Sequence, residues 1–209
     1  ELPRMDGIEF LRKLMPQYPL PVVMISSLSD RVFDAMNAGA VEFVAKPSSG
    51  NRKDIEEFIT TELPVKIKIA SVAKLRRNAK EEASAIQMHA TPDRKCNLLA
   101  IGASTGGTEA TAELLKDLHS DLPGIVIVQH MPAGFTELYA NRLNDRCELE
   151  VREAKNGDVV RPGLALLAPG GEQQMQVVYR DGEYKILLRK APKVNGHCPS
   201  VDVLFHSVA

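Results

Sequence analysis

Paired cysteines, a strong net charge and long apolar runs are all missing from this sequence. The three cysteines, Cys96, Cys147 and Cys198, lie far apart and form no CxxC pair, so neither a zinc site nor a disulfide framework is indicated. A chain without disulfides is typical of a reducing compartment. We therefore expect a cytoplasmic protein.

The charges nearly cancel, with 26 basic and 27 acidic residues and a net charge of -1. Such a balance offers no electrostatic footprint for nucleic acid or for an anionic membrane surface. The longest apolar stretches, such as residues 124–131, are far shorter than the roughly 18 to 20 residues that cross a bilayer. We expect no nucleic-acid partner and no membrane insertion.

Two α/β patterns are present in a composition of 44% apolar and 25% charged residues, which is typical of a globular protein. The chain starts at Glu rather than Met, and residues 201–209 resemble the middle of an amphipathic helix, so we expect a fragment of a longer protein. The first pattern has only two strands, which are too few for an independent domain of this type. Its predicted helices and strands are a helix over 7–15 ended by Pro16, strands at 21–27 and 41–47, and helices at 30–39 and 53–63.

The second pattern begins at Cys96, after a helix that runs into a basic linker over 63–95. Alternating strands and helices predict a parallel, doubly wound sheet. Its predicted elements are strands at 97–103 and 124–130, helices at 105–118 and 134–145, shorter pieces at 149–154 and 165–171, a hairpin over 175–188, and a final helix. The Asp181-Gly182 pair between two alternating runs is the signal for that hairpin.

A glycine-rich turn with a serine in it separates an apolar run from a helical pattern at residues 98–115. The turn is not a P-loop, because no lysine follows its second glycine, and it does not match GxGxxG. Gly102, Ser104 and Gly106 do match GxSxG, in which small neighbours let a serine occupy a tight strand-to-helix turn. The helix N-terminus would also favour a developing oxyanion. Taken alone, such a turn often serves only for helix capping.

A serine hydroxyl needs a nearby base to act as a nucleophile, and His130 is the best candidate. It ends the apolar run 124–130, so neighbouring parallel strands would place His130 and Ser104 at the same edge of the sheet. A histidine at a strand end is otherwise an ordinary surface residue. The four other histidines are weaker candidates. We expect His89 and His119 to face solvent, and the sequence leaves the directions of His197 and His206 open.

The motif AIGASTGG, followed 26 residues after Ser104 by the histidine of VIVQHMP, and then LAPGG and GHCPSVDVLF, resembles the catalytic domain of the chemotaxis protein-glutamate methylesterases (CheB). The resemblance runs over residues 97–209. It implies hydrolysis of glutamyl methyl esters on chemoreceptors with release of methanol, and in many members deamidation of receptor glutamines. It implies Ser104 as nucleophile and His130 as general base, with no metal or cofactor for hydrolysis.

The same resemblance assigns supporting residues. Two roles are open for the Thr105 hydroxyl, which could orient the histidine or cap the following helix. Thr105 and Gly106 are together expected to support the oxyanion. The third triad member of the family is an aspartate expected beyond Ala209. Asp202 is not that residue, because Ser200 and Asp202 are expected to cap and favour the start of the last helix.

The motifs LPRMDGIEFL, PVVMISS and GAVEFVAKPS resemble the second half of a flavodoxin-like response-regulator receiver domain. This implies a partial receiver over 1–62, a helix and linker over 63–95, and the esterase domain over 96–209. Ser26 and Lys46 match the receiver's phosphate site, whose phospho-acceptor aspartate is expected before Glu1. The resemblance further implies Mg²⁺ for phosphorylation, a chemotaxis histidine kinase as partner, and a receiver that blocks the esterase until it is phosphorylated.

Two other functions stay open from the residues. The chain could be a catalytically idle protein of the chemotaxis pathway that docks on receptors or on the kinase. It could also be an unrelated lipase-like hydrolase with GxSxG, which would place its triad in the order Ser, Asp, His. The early position of His130 argues against the lipase-like hydrolase.

Overall fold

The structure is a computed structural model that describes residues 5–27, 31–47, 50–73 and 96–209. The predicted linker from position 74 to 95, with His89, lies outside the described residues. The helices in the described residues are α1 (Gly7–Gln17), α2 (Arg31–Asn37), α3 (Arg52–Glu57), α4 (Leu63–Ser71), α5 (Gly107–Lys116), α6 (Phe135–Asn144) and α7 (Val201–Val208), with a π-helical turn over Phe58–Glu62. Its strands are β1 (Val23–Ser26), β2 (Glu42–Ala45), β3 (Leu98–Ala103), β4 (Gly124–Gln129), β5 (Glu150–Glu153), β6 (Leu164–Leu167), β7 (Gln173–Arg180) and β8 (Glu183–Lys190).

The N-terminal part forms a parallel pair of strands, β1 and β2, as the sequence predicts. Asp6 starts α1, because its carboxylate accepts hydrogen bonds from the backbone N–H groups of Ile8 and Glu9. Pro16 does not end this helix as predicted: α1 continues through it to Gln17. A proline in the last turn disturbs little helix beyond it, and the helix ends one residue later, at Gln17.

The main sheet is parallel throughout, with the strand order β3-β4-β6-β5. This confirms the predicted parallel sheet. In the register of the first pair, Ala103 lies beside Gln129, so β3 and β4 end side by side. The loops that follow these two strands therefore leave the sheet at the same edge.

Both faces of the sheet are covered, and β4 is buried along its whole length. Ile125 and Ile127 belong to a core that includes residues of α5 and α6, whereas Val126 and Val128 belong to a core that includes residues of α7 and the β7-β8 pair. A strand buried on both faces has apolar residues at successive positions. This explains the continuous run that the sequence shows there.

The antiparallel pair β7-β8 confirms the predicted hairpin at Asp181-Gly182. Both turn residues have positive φ, 55° and 83°, which is the backbone of a type I′ turn. None of the helices in the described ranges is long and apolar enough to span a bilayer.

The N-terminal elements pack directly on α6. Phe33 stacks on Tyr139 with ring centroids 5.2 Å apart, and Phe43 meets Phe135 at 4.9 Å. These rings belong to one apolar core that joins residues of α1, α2 and β2 to the main sheet. The edge of the main sheet that carries the candidate site therefore has the N-terminal elements as neighbours.

Candidate active site

Ser104 lies in the tight turn between the end of β3 and the start of α5. The turn is closed by a 2.7 Å hydrogen bond from the backbone N–H of Gly107 to the carbonyl oxygen of Ser104. Gly106 has a φ of 75°, a left-handed conformation that glycine adopts without steric cost. The turn leaves Ser104 exposed to solvent and places the N-terminus of α5 behind it.

His130 follows β4 and reaches the same turn. Its backbone N–H donates to the carbonyl oxygen of Ala103 at 3.1 Å, which continues the pairing of β3 and β4 by one residue. Nδ1 of the imidazole lies 3.2 Å from Oγ of Ser104. The structure thus brings together the two residues that the sequence singles out.

The geometry of the histidine determines which tautomer could act as a base. Nδ1 faces the Ser104 hydroxyl, so it accepts that proton only if the ring carries its own proton on Nε2. Nε2 is buried and has no hydrogen-bond partner among the described residues. An acidic side chain at Nε2 would hold the ring in this tautomer.

The surroundings of His130 favour the neutral imidazole. Burial is the largest cause, and the nearby His197 and Lys66 add positive charge, so that together they lower the pKa of His130 to about 4. Asp202 acts in the opposite direction. At neutral pH the ring is therefore free to accept a proton.

His197 is a site residue whose direction the sequence left open. Its ring stacks on that of His130, with centroids 3.7 Å apart and planes inclined by 4°. The loop that carries it is held by the buried Gln174, whose Nε2 donates to the carbonyl oxygens of Pro192 and His197 at 3.1 and 3.2 Å. The motif GHCPSVDVLF contained the signal, but its spacing along the chain does not show that the ring lies against His130.

Thr105 takes neither of the two roles that the sequence left open. Its hydroxyl donates a 2.9 Å hydrogen bond to Oε2 of Glu42, at the start of β2. The same carboxylate oxygen lies 3.3 Å from the ammonium group of Lys66 in α4. Among the described residues, the Thr105 hydroxyl is therefore bonded to the N-terminal elements, and neither to the histidine nor to the start of α5.

The start of α7 differs from the prediction in one respect. Ser200 is at the N-cap position, but its side chain makes no capping hydrogen bond. Instead, its backbone N–H donates to Oε1 of Gln174 at 2.7 Å. Asp202 lies in the first turn as predicted, and its carboxylate accepts a 2.7 Å hydrogen bond from Nδ2 of Asn195.

Ser26 and Lys46 lie together at the ends of β1 and β2. The backbone N–H of Lys46 donates to the carbonyl oxygen of Ser26 at 2.7 Å. Both line a cavity of about 480 Å³ with Asp6 and Arg31, whose side chains form a 2.6 Å ion pair. Across the described ranges, no three His, Cys, Asp or Glu side chains converge to hold a metal ion.

Comparison with known proteins points to one family. The sequence model of that family, described as CheB methylesterase, matches residues 99–209. A protein-glutamate methylesterase/protein-glutamine glutaminase 2 of Syntrophomonas wolfei is 56% identical over 209 residues, covering 100% of this chain and 60% of that protein. A protein-glutamate methylesterase/protein-glutamine glutaminase of Syntrophotalea carbinolica is 47% identical over 219 residues, covering 100% of this chain and 62% of that protein.

A solved structure supports the fold of the same region. The crystal structure of the Thermotoga maritima CheB methylesterase catalytic domain is similar with a TM-score of 0.52 and 36% identity, over 55% of this chain and 60% of that chain. This chain thus spans 60% and 62% of the length of the two curated relatives.

Proposed function

The chain belongs to the CheB methylesterase family, and on this premise we propose that its protein hydrolyses glutamyl methyl esters on chemotaxis receptors. The observation that supports this proposal best is the 3.2 Å approach of His130 Nδ1 to Ser104 Oγ. A serine and a neutral histidine at this distance are the nucleophile and general base of acyl transfer.

In the proposed first step, Ser104 Oγ attacks the ester carbonyl carbon while its proton passes to Nδ1 of His130. The negative charge that develops on the carbonyl oxygen lies at the N-terminal end of α5, where the helix dipole stabilises it. Collapse of the tetrahedral intermediate breaks the carbon–oxygen bond to the methoxy group. The histidinium protonates that group, and methanol leaves.

The second step regenerates the enzyme. Water attacks the acyl carbon, and His130 takes one of its protons. The bond to Oγ then breaks, the serine recovers a proton from the histidinium, and the product is released as a glutamic acid that loses the second proton of the water to solvent. An amide would follow the same course with ammonia as the leaving group, which is why we include glutamine deamidation, the second activity in the names of both relatives.

The proposal is tested by methanol release from methylated receptor, measured with the full-length protein. Ser104→Ala removes the nucleophile and should abolish release. Ser71→Ala is a matched control, because this serine is exposed and, among the described residues, its hydroxyl donates to the carbonyl oxygen of Lys68 alone. If the Ser104 variant keeps its activity, the nucleophile assignment is wrong.

We also propose that the N-terminal elements are half of a receiver domain. This receiver restrains the activity of the esterase until a histidine kinase phosphorylates the receiver, and we place the protein in the cytoplasm. The contact of Glu42 with Thr105 supports this proposal, since it attaches the turn of the nucleophile to β2. Glu42→Ala should then raise the basal rate of methanol release. An unchanged rate would contradict restraint through this contact.

The described residues do not by themselves complete a magnesium site at Ser26 and Lys46. Asp6 is the one carboxylate that lines the cavity, and it accepts two backbone hydrogen bonds and pairs with Arg31. Mg²⁺ prefers several oxygen ligands. The need for Mg²⁺ in phosphorylation therefore stays a prediction from the family resemblance.

A further inference from the structure

Gln129, the last residue of β4, lies under the turn that carries Ser104. It is 3% exposed, and it directly precedes His130 in the chain. Its partner in the sheet register is Ala103, the residue before Ser104. The side chain is therefore positioned between the ends of the two strands that carry the proposed catalytic pair.

The carboxamide of Gln129 contacts the backbone of both members of that pair. Nε2 donates to the carbonyl oxygen of Ser104 at 2.9 Å and to the carbonyl oxygen of His130 at 3.4 Å. The carbonyl of Ser104 also accepts the hydrogen bond from Gly107 that closes the turn. The amide NH2 group of Gln129 thus connects the turn that carries Ser104 to His130, which follows the end of β4.

The start of α5 passes close to the carboxamide of Gln129. A Cβ atom at position 107 would lie 2.2 Å from Oε1 of Gln129 and 2.6 Å from Cβ of Ala103. Glycine at position 107 is what lets the helix start pass over the amide. Oε1 therefore lies close to the start of α5, on the side of the carboxamide opposite the Nε2 donor.

Stability does not account for a glutamine at this position. Oε1 is buried and has no hydrogen-bond partner in the part of the chain that the structure describes, and an unsatisfied buried acceptor costs about 1–3 kcal/mol. An apolar side chain of the same size would avoid that cost, whereas it could not hold the two carbonyl groups. Buried polar groups that reduce stability are typical of functional sites.

We propose that Gln129 is a positioning residue that keeps Ser104 Oγ within hydrogen-bond reach of His130 by holding both backbones through Nε2. This inference rests on the proposed function of the Ser104–His130 pair. Its effect is on geometry, because small displacements of reacting groups lower turnover without affecting how substrate binds elsewhere.

The test is Gln129→Met in the full-length protein, which keeps the length of the side chain and removes the donor. We expect kcat for methanol release to fall on the order of 10- to 100-fold, with KM and the acid limb of the pH profile unchanged. Thr111→Val is the matched control, because it removes a buried polar group from α5, where Thr111 is 3% exposed. Thr111→Val should leave kcat unchanged.

Wild-type kcat in Gln129→Met would overturn the inference, as would an equal loss of kcat in Thr111→Val. If the methionine variant does not fold, Gln129→Leu tests the same donor, since an aliphatic side chain has no group that can donate to either carbonyl. Ser104→Ala in the same assay separates the two proposals. If Ser104→Ala keeps its activity, the proposed function is refuted. If Ser104→Ala loses its activity and Gln129→Met keeps wild-type kcat, only the role of Gln129 is refuted.

Discussion

The hydroxyl of Thr105 donates a 2.9 Å hydrogen bond to the carboxylate of Glu42, a residue 63 positions earlier in the chain. Glu42 is only 7% exposed, and its other oxygen accepts a hydrogen bond from the backbone N–H of Phe43. Lys66 balances its charge. Through this carboxylate, the N-terminal elements contact the residue next to the proposed nucleophile.

Glu42→Ala should therefore destabilise the protein. The change leaves the Thr105 hydroxyl and the Lys66 ammonium group without their acceptor, and the loss of a buried acceptor costs about 1–3 kcal/mol. The free energy of unfolding, from urea titration, measures this loss. Glu57→Ala on exposed α3 is the control and should stay within about 0.5 kcal/mol of the parent; equal losses in both variants would argue against the contact.

The activity should persist to unusually acidic pH. The proposed base acts only when unprotonated, and burial, followed by the charges of His197 and Lys66, lowers the pKa of His130 to about 4. As pH falls, kcat/KM should therefore stay level through 6.5, the ordinary histidine value, and decline near pH 4. A decline centred near pH 6.5 would contradict the environment described for this ring.

Replacing the stacked ring should move that decline. His197→Gln removes a positive charge next to His130 and opens the ring to solvent, and both changes raise the pKa of His130. The acid limb of kcat/KM should shift upward from about 4 toward 6.5. His119→Gln, an exposed histidine paired with Glu148, should leave the profile where it is.

Gly107→Ala should destabilise the protein even though alanine is the better helix former. Helix propensity alone favours alanine by about 1 kcal/mol, but the new Cβ would lie 2.2 Å from Gln129 Oε1. Overpacking of this kind costs about 1–3 kcal/mol. Chemical denaturation of Gly107→Ala and Gly50→Ala gives the comparison, because a Cβ at Gly50 meets nothing within 4 Å; similar midpoints would contradict the close packing.

The placement of Ser104 and His130 was accessible from the sequence because it depends on local patterns. Two apolar runs predict adjacent parallel strands, and parallel strands end at one edge of the sheet. Gln129 and Glu42 were not identified, and the direction of His197 stayed open, since each contacts the turn or the histidine through a side chain whose direction no periodicity determines. Thr105 shows the same limit: its neighbours in the chain suggested two roles, and its hydroxyl bonds to a third element.

The sequence by itself determined the order of strands and helices, the hairpin at Asp181-Gly182 and the edge of the sheet at which Ser104 and His130 meet. These follow from hydrophobic periodicity and turn chemistry, which act over a few neighbouring residues. The tertiary structure alone decided that His197 stacks on His130, that Glu42 accepts a hydrogen bond from Thr105 and that Gln129 bonds to the backbones of both Ser104 and His130. Such contacts depend on how distant segments pack against each other, and packing in a dense interior is decided by the whole chain at once.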